Sequence, residues 1–157
     1  MKVLEIILVR HGKAQDQAYG LADEDRELTE EGKIRFKKQI KPLIKKFDTN
    51  KNIVIWTSPA LRASQTAEII EDELETNNLF VHDFIYTGNY NSFLFELENI
   101  EDNTTLFVVG HEPHLSIWAN MIDGGYHRFK KGTMISFAVT NNVPLEAKEQ
   151  WIINPIK

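Results

Sequence analysis

Three short apolar runs constrain this chain most: Val3 to Val9, Ile53 to Trp56, and Leu106 to Val109. Each is rich in β-branched residues and too short for a helix, so each reads as a buried strand. Arg10-His11-Gly12 follows the first run, Thr57-Ser58-Pro59 the second, and Gly110-His111 the third. The segments between them repeat their apolar residues with helical periodicity, and strands alternating with helices imply an α/β fold with a largely parallel central sheet. In such sheets ligands bind beyond the carboxyl ends of the strands. The expectation is a three-layer α/β/α sandwich whose strand tips bring polar, reactive residues to one edge of one sheet.

The first helix is expected from Thr29, as its N-cap, to Phe47, with an apolar stripe at Phe36, Ile40, Leu43, Ile44 and Phe47 and a kink or break at Pro42. Ser58-Pro59 reads as an N-cap followed by proline at the first helical position, opening a second helix with Ala63, Ala67, Ile70 and Leu74 on one face. Glu112-Pro113 repeats the device for a third helix carrying Leu115, Trp118, Ala119 and Ile122, closed by Gly124-Gly125. Met134 to Val139 and Gln150 to Ile153 read as later strands.

At 157 residues the chain has the length of one domain spanning 1–157, and 42% hydrophobic with 26% charged residues is a globular balance. Glu5 interrupts the first apolar run, Arg10 ends it, and no small-residue cleavage site follows, so a strand fits better than a secretory segment. With no cysteine there is neither a disulfide framework nor a thiolate metal site, and a cytoplasmic setting is expected. The 18 basic against 23 acidic residues leave −5, which provides no electrostatic reason to seek nucleic acid or an anionic membrane. The lysines and arginine from Lys33 to Lys46 alternate with apolar residues at helical spacing and read as a solvated helix face.

Arg10, His11, Arg62 and His111 form a coherent set for phosphoryl transfer. A neutral imidazole can attack phosphorus, while guanidinium groups hold phosphate oxygens in a bidentate way and offset the charge that builds up there. The nucleophile must be unprotonated, which cationic neighbours favour, and a hydrogen bond to its other ring nitrogen must fix the tautomer. No carboxylate cluster suited to magnesium stands beside these residues. Pro113 between His111 and His114 breaks the one-face spacing of a zinc-binding helix, so no metal or other cofactor is expected. His114 is expected in the first helical turn at the pocket rim, and His127 as an ordinary loop histidine.

Leu8 to Ala14, Ser58 to Ala67 and Val109 to Pro113 together resemble the histidine phosphatase superfamily, also called phosphoglycerate mutase-like. Within it the chain is most similar to the SixA-type phosphohistidine phosphatases, which are small and share the Lys13-Ala14 pair and the His111-Glu112-Pro113 motif; Asp25 to Gly32 also resembles that subgroup. The resemblance implies that His11 becomes transiently phosphorylated, that Arg10 and Arg62 bind phosphate, and that His111 is the second pocket histidine. Gly12 would let the backbone approach the phosphate closely. Ser58 matches a motif position, which helix capping suffices to explain. Arg26 is a candidate for substrate contact, with pairing to adjacent acids as the competing role.

Two departures from the family pattern stand out. Many relatives place a glutamate general acid in the segment that here runs from Val81 to Asn89, which holds no glutamate; Asp83, His82 and Tyr86 are the nearby candidates. Gln17 stands where the mutase branch has an asparagine that touches phosphate. An alkoxide leaving group needs a proton during cleavage, whereas a phosphoramidate nitrogen can be protonated beforehand. The expected activity is therefore phosphate removal from phosphohistidine on a protein, through a phosphohistidine enzyme intermediate. Short connections, the longest running from Lys13 to Leu28, leave little chain for a lid. A phosphomonoesterase acting on a small metabolite or phosphoserine, and a phosphate-binding module without turnover, are the alternatives.

Overall fold

The computed structural model describes residues 3–47 and 52–156, apart from the side chains of Leu4 and Ile44. Strand β1 (Val3–Arg10) is buried on both faces: Ile6 and Leu8 point into one apolar cluster, Ile7 and Val9 into another. This is why the run shows no alternation, as expected for strands covered on both sides. Five more strands, β2 (Asn52–Thr57), β3 (Leu79–Val81), β4 (Thr104–Gly110), β5 (Met134–Asn141) and β6 (Glu146–Ile153), complete a sheet of order β3-β2-β4-β1-β5-β6. The first four in that order run parallel, β5 runs antiparallel to β1, and β6 runs antiparallel to β5.

Register places the chemistry. Arg10 at the end of β1 lies opposite Gly110 at the end of β4, and Thr57 at the end of β2 lies opposite Val109. The tips of the three central parallel strands are therefore level. β5 begins at the same edge, since Met134 pairs with Val9.

Helices α1 (Glu30–Ile40) and α2 (Leu61–Leu74) cover one face with Phe36, Ile40, Ala63, Ala67 and Ile70. Helices α3 (Asp83–Thr87), α4 (Tyr90–Leu97) and α5 (His114–Asp123) cover the other with Ile85, Phe93, Leu115, Trp118 and Ile122. The expected α/β/α sandwich is the observed architecture. No helix among the described residues is long and apolar enough to cross a membrane.

Several local expectations need correction. The first helix keeps its Thr29 cap, whose hydroxyl accepts from the Gly32 amide at 2.9 Å, but ends at Ile40 and passes into a 3₁₀ turn over Lys41–Lys46. Pro42 explains the change, because it has no amide proton to continue the helical ladder. Of the expected stripe, the Ile44 side chain lies outside the described residues. The second helix starts at Leu61 rather than at Pro59, with Ala60 at the cap position. The third starts at His114, and Glu112 caps it through Oε1, which accepts from the Ser116 amide at 2.8 Å. β6 is longer than expected, and β3, α3 and α4 were not anticipated: three strand residues and a five-residue helix are too short to show a period.

Candidate active site

The Arg10-His11-Gly12 tripeptide is held almost wholly through its backbone. The Arg10 amide donates to the Thr133 carbonyl at 3.0 Å, and the His11 amide to the Gly110 carbonyl at 3.2 Å. In return the Gly132 amide donates to the carbonyls of both Arg10 and His11 at 3.0 Å. Gly12 donates to Thr66 Oγ1 at 3.1 Å, and the Thr66 hydroxyl itself donates to the Arg62 carbonyl at 2.7 Å. Thr66 thus ties the first motif to the helix that carries Arg62. The Gly12 amide is committed to this contact, and a Cβ there would meet only ordinary contacts of 3.5 Å or more with the protein.

His11 Nδ1 lies 2.8 Å from the Gly12 carbonyl. A carbonyl only accepts, so Nδ1 carries the proton and Nε2 keeps its lone pair. The backbone-carbonyl partner required of a nucleophilic imidazole is therefore supplied by the next residue in the chain. Burial is the main force lowering the His11 pKa to about 4; the Gly12 bond opposes this, and Arg62, Arg10 and Arg26 add to it. Expectation placed the arginines first, but loss of hydration matters more at a group only 6% exposed.

The His111 ring is 5.2 Å from that of His11, centroid to centroid. Its Nε2 lies 2.7 Å from Ser58 Oγ; that oxygen accepts from the Ala60 amide at 3.2 Å, so the hydroxyl has its own proton to donate to Nε2 and the neutral ring carries its proton on Nδ1. Ser58 is thus a partner of the second histidine, not the helix cap that sequence suggested. Burial, with His11 and Arg62 adding to it, lowers His111 to about 3. Both imidazoles are neutral at pH 7.

The arginines converge on the same place. Arg62 is 5% exposed although its charge would favour water. Arg10 donates from Nη1 to the Phe129 carbonyl at 2.9 Å, and burial lowers its pKa, with Glu112 opposing. Arg10 Nε, Arg62 Nε and His111 Nδ1 are buried without a hydrogen-bond partner. Unpaired buried polar groups cost about 1–3 kcal/mol each, and their clustering at one strand edge suits an anion with several acceptor oxygens.

Sequence reasoning missed Asp23. It lies in a short 3₁₀ turn, Asp23–Asp25, inside the irregular stretch from Lys13 to Leu28. Its Oδ2 accepts from Arg62 Nη2 at 3.0 Å and from the Tyr86 hydroxyl at 2.8 Å, and its carbonyl accepts from Arg62 Nη1 at 2.7 Å. Burial alone would raise the carboxyl pKa, but the bonds from Tyr86, Arg62 and Arg26 outweigh it and hold Asp23 at about 2. This stretch therefore does reach the site. The only signal in the sequence was a dense run of charges from Asp23 to Glu27.

The remaining candidates separate cleanly. Arg26 pairs with Asp23 at 3.0 Å and donates to the Gln15 carbonyl at 2.9 Å, which is the ion-pair role weighed against substrate contact. Gln17 is exposed, its amide 3.5 Å from the Leu21 carbonyl. His82 packs on Trp56 and Phe84, each with ring centroids 4.7 Å away, and Asp83 is exposed at the start of α3. Tyr86 alone of the three acid candidates reaches the site, with its ring 5.6 Å from that of His111 and its pKa raised by the Asp23 bond. His127 is no ordinary loop histidine: it is buried, with Nε2 2.8 Å from Asp123 and Nδ1 3.1 Å from Glu149, linking the end of α5 to β6.

A family model described as the histidine phosphatase superfamily (branch 1) matches residues 6–84, a span that holds Arg10, His11 and Arg62 but ends before His111. An uncharacterised protein from Picosynechococcus sp. is 37% identical over 128 residues, covering 78% of this chain and 74% of that protein. Among solved structures, one provisionally named as a phosphohistidine phosphatase SixA from Agrobacterium tumefaciens is similar with a TM-score of 0.82 and 18% identity, covering 99% of this chain and 100% of that one. The protein histidine phosphatase SixA in complex with tungstate is similar with a TM-score of 0.76 and 21% identity, covering 97% of each chain. The sheet order, the level strand tips and the family match agree, and the chain belongs to the histidine phosphatase superfamily.

Proposed function

We propose that this phosphatase-fold protein removes phosphate from phosphohistidine on a partner protein, with His11 as the nucleophile. The observation that carries the reading is the Nδ1 bond from His11 to its neighbouring carbonyl, which leaves Nε2 as a neutral base beside two arginines. Arg10, Arg62 and His111 would bind the phosphate oxygens, their buried unpartnered nitrogens finding acceptors there. In the first step Nε2 forms a bond to phosphorus while the bond to the substrate imidazole breaks, and that imidazole leaves with a proton it already carries. Water then attacks the phosphoryl group on His11 and releases inorganic phosphate. Positioning and fixed positive charge would supply most of the acceleration.

The choice of leaving group rests on the missing acid. His82 stacks on Phe84, Asp83 is exposed, and Tyr86 already donates its proton to a carboxylate. A nitrogen leaving group needs less help than an alkoxide. The solved neighbours with SixA names agree with this reading, and the cytoplasmic setting and single domain over 1–157 belong to the same proposal.

The test is hydrolysis of a phosphohistidine protein against small phosphate esters, with wild type and His11→Ala side by side. The expected result is turnover of the phosphoramidate and a loss of at least about 1,000-fold in the variant, together with loss of acid-labile phosphate trapped on the wild-type protein. Faster hydrolysis of esters would favour the phosphomonoesterase, binding without turnover the phosphate-binding module, and equal activity of the variant would overturn the mechanism.

A further inference from the structure

Beside the candidate site lies a groove of about 430 Å³ that the chemistry above does not use. Its floor includes Gly12, Phe36 and Gly132, and its rim carries Lys13, Arg35, Lys130 and Lys131. Glu31 pairs with Lys13 at 3.3 Å and with Arg35 at 2.8 Å. Lys130 and Lys131 are both exposed, and neither has an ion-pair partner among the described residues. Among the described residues no carboxylate lines the groove itself. In a chain of net charge −5, this concentration of cations is local.

The groove adjoins the site along the chain. Gly12 and Lys13 directly follow His11, and the opposite wall is the loop whose Gly132 amide clamps the Arg10 and His11 carbonyls. Gln39 on α1 donates to the Gly132 carbonyl at 2.7 Å and closes the base. By contrast, the stretch that brings Asp23 to Arg62 is acidic, with Asp16, Asp23, Glu24, Asp25 and Glu27. One wall of the site therefore repels an acidic chain and another attracts it.

We propose that this groove docks an acidic peptide segment flanking the phosphorylated histidine of a protein substrate, with Lys130 and Lys131 as its main contacts. The proposal extends the phosphohistidine reading and rests on it for the identity of the substrate. An extended chain spans about 3.4 Å per residue, so residues just beyond a phosphohistidine seated over His11 fall within reach of the groove. Rim charges of this kind act on encounter and on binding more than on the bond-breaking step.

The test has two arms. Fluorescence anisotropy would measure binding of labelled, unphosphorylated histidine peptides flanked by glutamates or by alanines. The glutamate peptide should bind about fivefold more tightly, and lose that advantage in Lys130→Glu/Lys131→Glu and at about 1 M salt, where the Debye length is about 3 Å. In the second arm, the variant should raise KM for the phosphorylated glutamate peptide about fivefold, leaving kcat and the hydrolysis of free phosphohistidine unchanged. Lys131→Gln, a milder change, should shift KM in the same direction, and matching melting curves should show that both variants fold. Equal affinity for the two peptides, or tighter binding to vesicles of anionic lipid, would overturn the docking site. Selective binding with no turnover of any phosphohistidine substrate would leave the docking site standing and remove the proposed function.

Discussion

At the scale of single residues, the features that matter are proton positions. His11 is given one tautomer by its own neighbour and one charge state by burial, so its Nε2 is a base that water protonates only in acid. A ring titrating at about 4 instead of about 6.5 should show no change in its NMR shifts between pH 7 and about pH 5. Titration of His11 near pH 6.5 would mean that the ring is hydrated in solution. Arg62 faces Asp23 with both terminal nitrogens. An ammonium cannot reproduce that planar fork, so Arg62→Lys should lower kcat/KM by about 100-fold while the fold is kept, as steady-state kinetics and circular dichroism together would reveal.

At the scale of elements, close approaches set the angles of the helices. Gly88 ends α3 with φ near +79°, and a Cβ there would sit 2.2 Å from the His114 ring at the start of α5. Gly88→Ala should therefore cost about 2–4 kcal/mol in urea unfolding, because a left-handed residue and a steric clash are imposed together. Thr29→Ala tests a simpler element. Loss of the hydroxyl that accepts from the Gly32 amide should cost about 1 kcal/mol, with little effect on turnover. These elements were unequally legible in advance. Long buried strands and helices with a clear apolar stripe declare themselves, whereas β3 and α3 are shorter than the window in which a period can be recognised. Ser58 illustrates a different failure: a serine before proline satisfies the local rule for a cap, but the hydroxyl goes to a histidine fifty-three positions away.

For the whole molecule, two apolar layers hold one sheet, and the site sits where their strands end. Trp118 belongs to one layer and Trp151 packs against the other. If residues 1–157 act as one domain, tryptophan fluorescence and far-UV circular dichroism of the same protein should report the same urea midpoint. The buried histidines also make stability depend on pH. His11 and His111 are held at about 4 and about 3, below the ~6.5 of an unfolded histidine, so the unfolded chain binds more protons in between. The stability this represents is complete above about pH 6.5 and is lost as pH falls through the folded-state values. Calorimetry should show Tm declining between about pH 6.5 and 4, and a less steep decline in a His11→Asn/His111→Asn variant.

What the sequence determined by itself was the architecture and the motif residues at three strand ends. Short apolar runs rich in β-branched residues read as strands buried on both faces, and the alternation of strand and helix then implies a mostly parallel sheet with its polar tips together. What only the tertiary structure decided was who touches whom across the site: Asp23 on Arg62, Ser58 on His111, Thr66 on Gly12, and Lys130 with Lys131 beside Lys13. Periodicity is a local property of the chain, and it carries no information about where an irregular stretch folds back. Those contacts are selected by desolvation and charge at a surface that exists only once the sheet and both helical layers are assembled.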